Sequence, residues 1–182
     1  LADEGSTLKA IEEIKQRLDN GQLHALVNNA AISPKADAGK RLSSIDTTLD
    51  VWRHVFRVNF FAPILLARGL VNELKAAQGA VVNVTSIAGR NGGAPGSIHY
   101  SSAKAAVLTM TKGLAKEFAT QGIRINAVSP GVIDTPYHET FTAPEVMENL
   151  KKAIPMGRPG RSDEVASVIV FPYRDIYQSG AI

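Results

Sequence analysis

Apolar residues recur at helical spacing near the start of the chain and form a short continuous run soon after it. One apolar stripe covers residues 8–18 with charged residues on the opposite side, which is typical of an amphipathic helix. Ser6 or Thr7 is predicted to cap this helix, because both carry a hydroxyl just before the stripe. The apolar run at 23–27 then predicts a short buried strand.

Long helical patterns and short apolar runs continue to alternate along the rest of the chain. A helical pattern extends over about 48–77, where Pro63 interrupts it, and the last helix is predicted to stop at Pro172. The other predicted elements, in chain order, are a strand at 80–84, a glycine-rich loop at 89–96, a helix at about 99–120, a strand at 123–128, a mixed segment at 137–156 and a short helix from 162.

This alternation predicts an α/β fold. Helices of crossover length between strands favour a doubly wound parallel sheet in three α/β/α layers, and no repeat or linker divides residues 1–182 into more than one domain. Ligands of such sheets bind beyond the carboxyl ends of the strands. The predicted strand ends carry polar or turn-forming residues, namely Asn28-Asn29-Ala30, Thr85-Ser86 and Ser129-Pro130-Gly131.

The composition excludes several classes of function. Hydrophobic residues make up 45% and charged residues 20% of the 182, as in an ordinary soluble globular protein. Twenty basic and 17 acidic residues, with no block of like charge, argue against a nucleic-acid partner. Cysteine is absent, which excludes disulfides and cysteine-ligated metals. The longest nearly apolar stretch, 60–67, is too short for a membrane span, and without a signal-peptide pattern a cytoplasmic location is predicted.

Tyr100 and Lys104 are the first candidates for acid–base chemistry. Their spacing of four residues in a predicted helix places both side chains on one face. A tyrosine must lose about three pKa units to act near pH 7, and a lysine ammonium about 4 Å away offers about 4 kcal/mol at an effective dielectric of 20, which is enough. The alternative is a surface tyrosine packed under a lysine stem.

Ser86 is the second candidate. It lies just past a predicted strand and 14 residues before Tyr100, with the glycine-rich loop between them. Its hydroxyl is able to bind and polarise a substrate oxygen. The alternative is a loop serine that satisfies neighbouring backbone groups, which is the commoner role of an isolated serine.

Asn59 lies inside the long predicted helix, four residues before Pro63. Proline has no N–H, so the Asn59 carbonyl loses its helical partner and is free to bind a water or a ligand. The alternative is an ordinary proline kink with Asn59 as a cap.

Five short motifs occur in the order and spacing of one known family. They are Leu26-Val27-Asn28-Asn29-Ala30, Val58-Asn59-Phe60, Val82-Asn83-Val84-Thr85-Ser86, Tyr100-Ser101-Ser102-Ala103-Lys104 and Asn126-Ala127-Val128-Ser129-Pro130-Gly131. With these motifs the chain resembles the short-chain dehydrogenase/reductase family from its first helix to about residue 170. The resemblance implies a Rossmann-type domain that binds NAD or NADP and transfers a hydride between this cofactor and an alcohol or ketone.

The resemblance also implies roles for individual residues. Tyr100 would be the general acid/base, Lys104 would lower its pKa and hold the nicotinamide ribose, and Ser86 would position the substrate oxygen. Asn59 would hold, through its main chain, a water that links Lys104 to solvent. The remaining residues implied to contact the cofactor are Asn29 and Ala30 on the adenosine side, and Pro130, Gly131, Ile133 and Thr135 at the nicotinamide carboxamide.

The chain departs from the family pattern at both ends. The family opens with a βαβ unit whose glycine-rich turn binds the pyrophosphate at a helix N-terminus, and no segment here matches that turn. The glycines at 89–96 have a different spacing, and the family pattern also breaks after residue 171. We therefore expect this sequence to be part of a longer protein, with the domain incomplete at both ends and the strand at 23–27 exposed at one edge.

Two classes of function stay open from the sequence. The four candidate residues favour an oxidoreductase, whereas the missing phosphate-binding turn favours a non-catalytic binding or regulatory module of the same fold. A metal site is not predicted, because the histidines lack a ligand spacing such as H-E-x-x-H. The sequence does not distinguish NAD from NADP, since the deciding residue follows a strand that is absent.

The substrate and the oligomeric state rest on the resemblance alone. The segment 137–156, with Phe141, Met147 and Met156, resembles the family's substrate-covering segment and suggests a partly apolar pocket. The family is usually tetrameric through the helices that correspond to 48–77 and 99–120, so a homo-oligomer is expected.

Overall fold

The computed structural model describes residues 1–34, 42–136, 144–174 and 178–181. Residues 137–143 of the predicted substrate-covering segment, which include Phe141, lie outside the described residues. The part after them forms the helix α7, Pro144–Ala153.

Three parallel strands form the central sheet. They are β1 (Ala25–Asn28), β2 (Ala80–Val84) and β3 (Arg124–Val128), in the order β1-β2-β3. The predicted parallel α/β sheet is therefore confirmed, and its strand boundaries differ from the prediction by two residues at most. The pairing brings Asn28 beside Asn83 and Val84 beside Val128, so all three carboxyl ends lie at the same edge of the sheet.

The first helix starts earlier than predicted. Helix α1 is Glu4–Arg17, and its cap is Asp3, whose carboxylate accepts a hydrogen bond of 2.8 Å from the Ser6 N–H. The prediction of Ser6 or Thr7 as the cap was wrong. An aspartate is as good a cap as serine, and its full charge also interacts favourably with the helix dipole, so the helix begins three residues sooner.

The single helix predicted over 48–77 is divided into four pieces. These are α2 (Leu49–Phe56), a π-helical turn (Arg57–Phe61), α3 (Ala62–Gly69) and α4 (Val71–Ala76). Pro63 lies in the first turn of α3, where a missing N–H costs least. The helix is therefore interrupted before Pro63, in the π turn. This place agrees with the missing Pro63 N–H, which would have donated to the Asn59 carbonyl in a regular α-helix.

One face of the sheet is covered by α1, α3 and the long helix α6, Ile98–Phe118. The core on this face consists of Ile11, Leu66, Leu70, Leu74, Val81, Ala115, Ile123 and Ile125. Helices α1 and α3 approach closely at Gly69, because a Cβ there would lie 2.7 Å from the Ile11 Cδ1 atom.

The other face is covered only in part. Helix α8, Ser162–Arg174, packs on β2 and β3. In β1, Val27 is 45% exposed. β1 is the edge strand that the sequence predicted at 23–27, because within the described residues it pairs with β2 alone.

The end of the chain differs from the prediction. Helix α8 continues through Pro172 to Arg174, so the prediction that Pro172 stops it was wrong. A proline removes one helical hydrogen bond. Here the proline is buried, and the carbonyl of the next residue, Tyr173, accepts a hydrogen bond from the Arg124 guanidinium of β3. The tail 178–181 then lies along β3, with the Gly180 N–H donating to the Ile125 carbonyl and the Ala127 N–H donating to the Ala181 carbonyl.

None of the helices in the described part of the chain has the length and apolar character that a bilayer span requires.

Candidate active site

The loops after β2 and β3 are joined by hydrogen bonds at the carboxyl edge of the sheet. The Thr85 N–H donates to the Val128 carbonyl at 2.8 Å, and the hydroxyls of Thr85 and Ser129 are 2.6 Å apart. The Ile87 N–H donates to the Pro130 carbonyl at 3.0 Å. Ser86 lies between these bonds, so its main chain is held in a fixed relation to the Pro130 loop.

The Ser86 hydroxyl is oriented by the backbone that follows it. Its Oγ accepts a hydrogen bond of 3.1 Å from the Ala88 N–H, at the start of the short helix α5, Ala88–Asn91. The sequence prediction missed this helix and treated the segment as loop. Since the N–H occupies one lone pair of the hydroxyl, the hydroxyl proton is directed away from α5 and is able to donate to another oxygen. Ser86 is therefore able both to satisfy a neighbouring backbone N–H and to bind a substrate oxygen, which are the two roles that the sequence left open.

Tyr100 and Lys104 lie on one face of α6, as their spacing predicts. The Lys104 Nζ atom is 5.7 Å from the centre of the Tyr100 ring, and it donates a 2.7 Å hydrogen bond to the Val84 carbonyl. Lys104 is only 3% exposed, and burial lowers its pKa from 10.5 to about 8. At pH 7 the ammonium form still predominates, so a positive charge lies beside the phenol.

Asn59 is buried in the π turn, and π turns of this kind recur at functional sites. Its carboxamide pairs with the main chain of Ile32 in the loop after β1: Oδ1 accepts from the Ile32 N–H at 2.8 Å, and Nδ2 donates to the Ile32 carbonyl at 2.9 Å. The side chain thus holds that loop. The main-chain carbonyl loses its ordinary helical donor at Pro63, and its role in binding a water stays a prediction.

A buried hydrogen-bond chain that the sequence did not reveal connects the sheet to α6. The Asn28 Nδ2 donates to the Asn83 Oδ1 at 2.8 Å, and the Asn83 Nδ2 donates to the Thr111 hydroxyl at 2.9 Å. Thr111 in turn donates to the Val107 carbonyl. The only signal in the sequence was an asparagine at the end of one apolar run and another inside the next, and nothing indicated that they pair. These hydrogen bonds fix the distance between α6 and β2 at Asn83. Asn83 directly precedes Val84, whose carbonyl accepts the hydrogen bond from Lys104.

Replacing Thr111 by valine is expected to lower the free energy of unfolding by about 1–3 kcal/mol, because the Asn83 amide becomes a buried donor without an acceptor. Thr111→Ser, which restores the hydroxyl, should recover most of the loss. Urea unfolding followed by the emission of Trp52, the single tryptophan, measures the change. Thr109→Val on the exposed side of the same helix is the matched control. Equal stability of both valine variants would contradict the assignment.

The residues predicted to contact a cofactor lie at the same edge of the sheet. Asn29 and Ala30 are exposed just past β1, beside the buried Asn28, so the two neighbouring asparagines face different surroundings. On the far side of β2, Pro130 and Ile133 line a cavity of about 540 Å³ under α8. Gly131 and Thr135 lie on the same loop, exposed and half-buried respectively.

The segment that carries Ile133 is braced by a second short strand pair. Strand β4 (Ile133–Asp134) pairs with β5 (Gly160–Arg161), and a Cβ at Gly160 would lie 2.8 Å from the Ile133 Cδ1 atom. The Glu164 carboxylate accepts two hydrogen bonds from the Arg158 guanidinium and one from the Arg161 N–H. The hydrogen bonds from Arg158, and then the one from the Arg161 N–H, lower the pKa of Glu164 to about 2. The Glu164 carboxylate is therefore ionised throughout the neutral range.

The fold and the site together define a Rossmann-type domain with serine, tyrosine and lysine at the carboxyl edge of its sheet. The family described as enoyl-(acyl carrier protein) reductase matches residues 1–177. An oxidoreductase of Brucella ovis, a short-chain dehydrogenase/reductase, has a TM-score of 0.81 and 43% identity over 99% of this chain and 77% of its own. The chain belongs to the short-chain dehydrogenase/reductase family.

Other relatives are similar along the whole chain. Protein FixR of Bradyrhizobium diazoefficiens is 45% identical over 100% of this chain, and the 3-oxoacyl-[acyl-carrier-protein] reductase FabG of Aquifex aeolicus is 36% identical over 94% of it. A second Brucella ovis oxidoreductase structure, in complex with a partially ordered NAD, has a TM-score of 0.80 and 44% identity over 99% of this chain and 73% of its own. The chain spans less than two thirds of the two curated relatives, 64% and 65% of their lengths.

Proposed function

We propose that this chain carries the catalytic part of an NAD(P)-dependent oxidoreductase that interconverts an alcohol and a carbonyl compound. The observation that carries the proposal is the buried Lys104 ammonium beside Tyr100, at the sheet edge where the Ser86 hydroxyl is oriented. Family membership supports the same reaction class. Tyr100 is the proposed general acid/base.

Each of the three side chains has a distinct part in the proposed reaction. In reduction, the Ser86 hydroxyl donates a hydrogen bond to the carbonyl oxygen, and the Tyr100 hydroxyl gives that oxygen its proton. In oxidation, the Tyr100 oxygen takes the proton of the alcohol. The positive charge on Lys104, whose Nζ atom is 5.7 Å from the centre of the Tyr100 ring, favours the tyrosinate that forms in this step.

The residues present fit the nicotinamide end of a dinucleotide. The cavity beside Pro130 and Ile133 has both apolar and polar walls, and it includes Ser129 and Arg90. The Pro130 carbonyl accepts a hydrogen bond from the Ile87 N–H, next to Ser86. We propose that Pro130, Gly131, Ile133 and Thr135 hold the carboxamide, that Lys104 holds the ribose, and that Asn29 and Ala30 line the adenosine side. The bound dinucleotide supplies or accepts the hydride. The choice between NAD and NADP stays open.

The assembly and location of the protein also stay predictions. A homo-oligomer through α2 to α4 and α6 is compatible with the exposure of Phe61, which is 49% exposed on this side of the fold. A cytoplasmic location is proposed as the sequence predicts it. We propose a small alcohol or ketone as the substrate, with no nucleic-acid or membrane partner.

Transfer of deuterium from C4-deuterated NADH or NADPH tests the proposed function. The protein is incubated with aliphatic, aromatic and 3-oxoacyl thioester carbonyls, and mass spectrometry detects deuterated alcohols. Deuterium in any product supports the oxidoreductase. Binding of a dinucleotide without transfer to any of the carbonyls would overturn the proposal and favour the non-catalytic module, and binding of neither dinucleotide would overturn the cofactor assignment as well.

A further inference from the structure

The short helix α5 packs on α6 with no side chain between the two backbones at Gly89. A Cβ built on Gly89 would lie 2.9 Å from the Ala105 nitrogen, 2.9 Å from the Lys104 carbonyl carbon and 3.1 Å from the Lys104 carbonyl oxygen. These are main-chain atoms within a helix, so no rotamer change relieves the contact. Any other residue at this position must move α5 away from α6.

Ser86 is attached to α5 by two hydrogen bonds. The Gly89 N–H donates to the Ser86 carbonyl at 3.0 Å, and the Ala88 N–H donates to the Ser86 Oγ at 3.1 Å. Tyr100 and Lys104 belong to α6, on the other side of the contact. A displacement of α5 therefore changes the distance between Ser86 and the pair on α6, while Tyr100 and Lys104 keep their mutual geometry within one helix.

A second glycine, Gly93, lies two residues after the C-terminal end of α5. Gly93 has a φ of +72°, and a Cβ there would overlap the Ser101 hydroxyl and lie 2.8 Å from the Ser97 hydroxyl. A glycine thus lies at both ends of the contact, and the contact with fixed main-chain atoms is the one at Gly89.

We propose that Gly89 is a positioning residue, whose missing side chain sets the separation between the Ser86 hydroxyl and the Tyr100–Lys104 pair. This inference rests on the proposed function, because the separation matters only if Ser86 and Tyr100 act on the same substrate oxygen. Two groups that must both reach one oxygen tolerate little displacement, and a misplacement of about 1 Å costs up to about a hundredfold in rate.

Gly89→Ala is expected to lower kcat by about 10- to 100-fold with an unchanged Kd for the dinucleotide. Gly113→Ala is the matched control, since Gly113 lies in α6, is exposed and has no atom within 4 Å of a built Cβ. It should keep the activity of the unmodified protein. The pH at which kcat is half-maximal should also stay the same in Gly89→Ala, because Tyr100 and Lys104 are not separated.

A double-mutant cycle separates positioning from a merely structural role. If Gly89 acts through Ser86, then Gly89→Ala lowers kcat in the unmodified protein but adds little to Ser86→Ala. An equal fold-loss in both backgrounds, or activity of Gly89→Ala equal to that of Gly113→Ala, would overturn the inference and leave the oxidoreductase proposal standing. Absence of deuterium transfer by the unmodified protein would instead remove the proposed function itself. Thermal unfolding and the stoichiometry of dinucleotide binding confirm that each variant is folded.

Discussion

Replacing Tyr100 by phenylalanine is expected to lower kcat by about a thousandfold, within the usual range for loss of a general acid/base. The substitution removes only the hydroxyl, so the ring keeps its place beside the Lys104 ammonium, 5.7 Å from the ring centre. The fold and the Kd for the dinucleotide should therefore stay the same. The loss should appear in kcat, because the hydroxyl acts only when the substrate oxygen gains or loses its proton.

Tyr173→Phe is the matched control for this variant. Tyr173 is 40% exposed in α8, and it contributes to the cavity at the opposite edge of the sheet from the candidate site. Its loss of a hydroxyl should leave kcat unchanged. Full activity of Tyr100→Phe would show that another group delivers the proton, and an equal loss in both variants would point to a general effect on folding.

Replacing Lys104 by methionine is expected to abolish most activity and to stabilise the fold. Burial lowers the pKa of Lys104 from 10.5 to about 8, which corresponds to a cost of about 3 kcal/mol for keeping the ammonium charged at pH 7. Methionine fills a similar volume without a charge, but the Val84 carbonyl loses its donor. We expect a net gain of about 1–3 kcal/mol in the free energy of unfolding at pH 7, together with a fall in kcat of about a hundredfold or more.

The stability difference should shrink as the pH rises. Between pH 8 and pH 10.5 the unfolded chain still holds the Lys104 proton, whereas the folded chain has released it. The unfolded state thus binds more protons in this window, and the stability of the unmodified protein increases with pH. Urea unfolding at pH 7 and pH 10, followed by the emission of Trp52, measures the difference. This test needs no cofactor, and it is independent of the proposed reaction.

Lys112→Met is the control for the lysine substitution. Lys112 is exposed on the same helix, so its replacement should change the stability little and equally at both pH values. A Lys104→Met variant that is less stable than the unmodified protein at pH 7 would show that the hydrogen bond to Val84 outweighs the cost of burying the charge.

The sequence predicted those parts of the site that depend on local spacing. Tyr100 and Lys104 share a helix face because they are four residues apart, whatever the rest of the fold does. The disturbance between Asn59 and Pro63 was also predictable, because a proline always removes one helical hydrogen bond, and a π turn is how this helix accommodates the loss. The parallel sheet followed from the alternation of helices and strands.

Local signals were less informative where several residues are able to cap the same helix, or where tertiary contacts determine where a helix ends. Asp3, Ser6 and Thr7 are all able to cap α1, and the extended backbone at Asp3 decides between them. Pro172 is a helix breaker by its chemistry, yet α8 continues through it, with the proline buried and the Tyr173 carbonyl bound to Arg124 of β3. Neither outcome is visible from residue type alone.

By itself, the sequence determined the fold class, the positions of the strands and the residues that carry the candidate chemistry, since these follow from periodicity and short-range spacing. Only the tertiary structure decided what surrounds these residues. Asn28 pairs with Asn83, 55 positions away, while the neighbouring Asn29 is exposed. Gly89 meets the backbone of α6, and burial lowers the pKa of Lys104. Contact and desolvation depend on segments far apart in the chain, which no local pattern encodes.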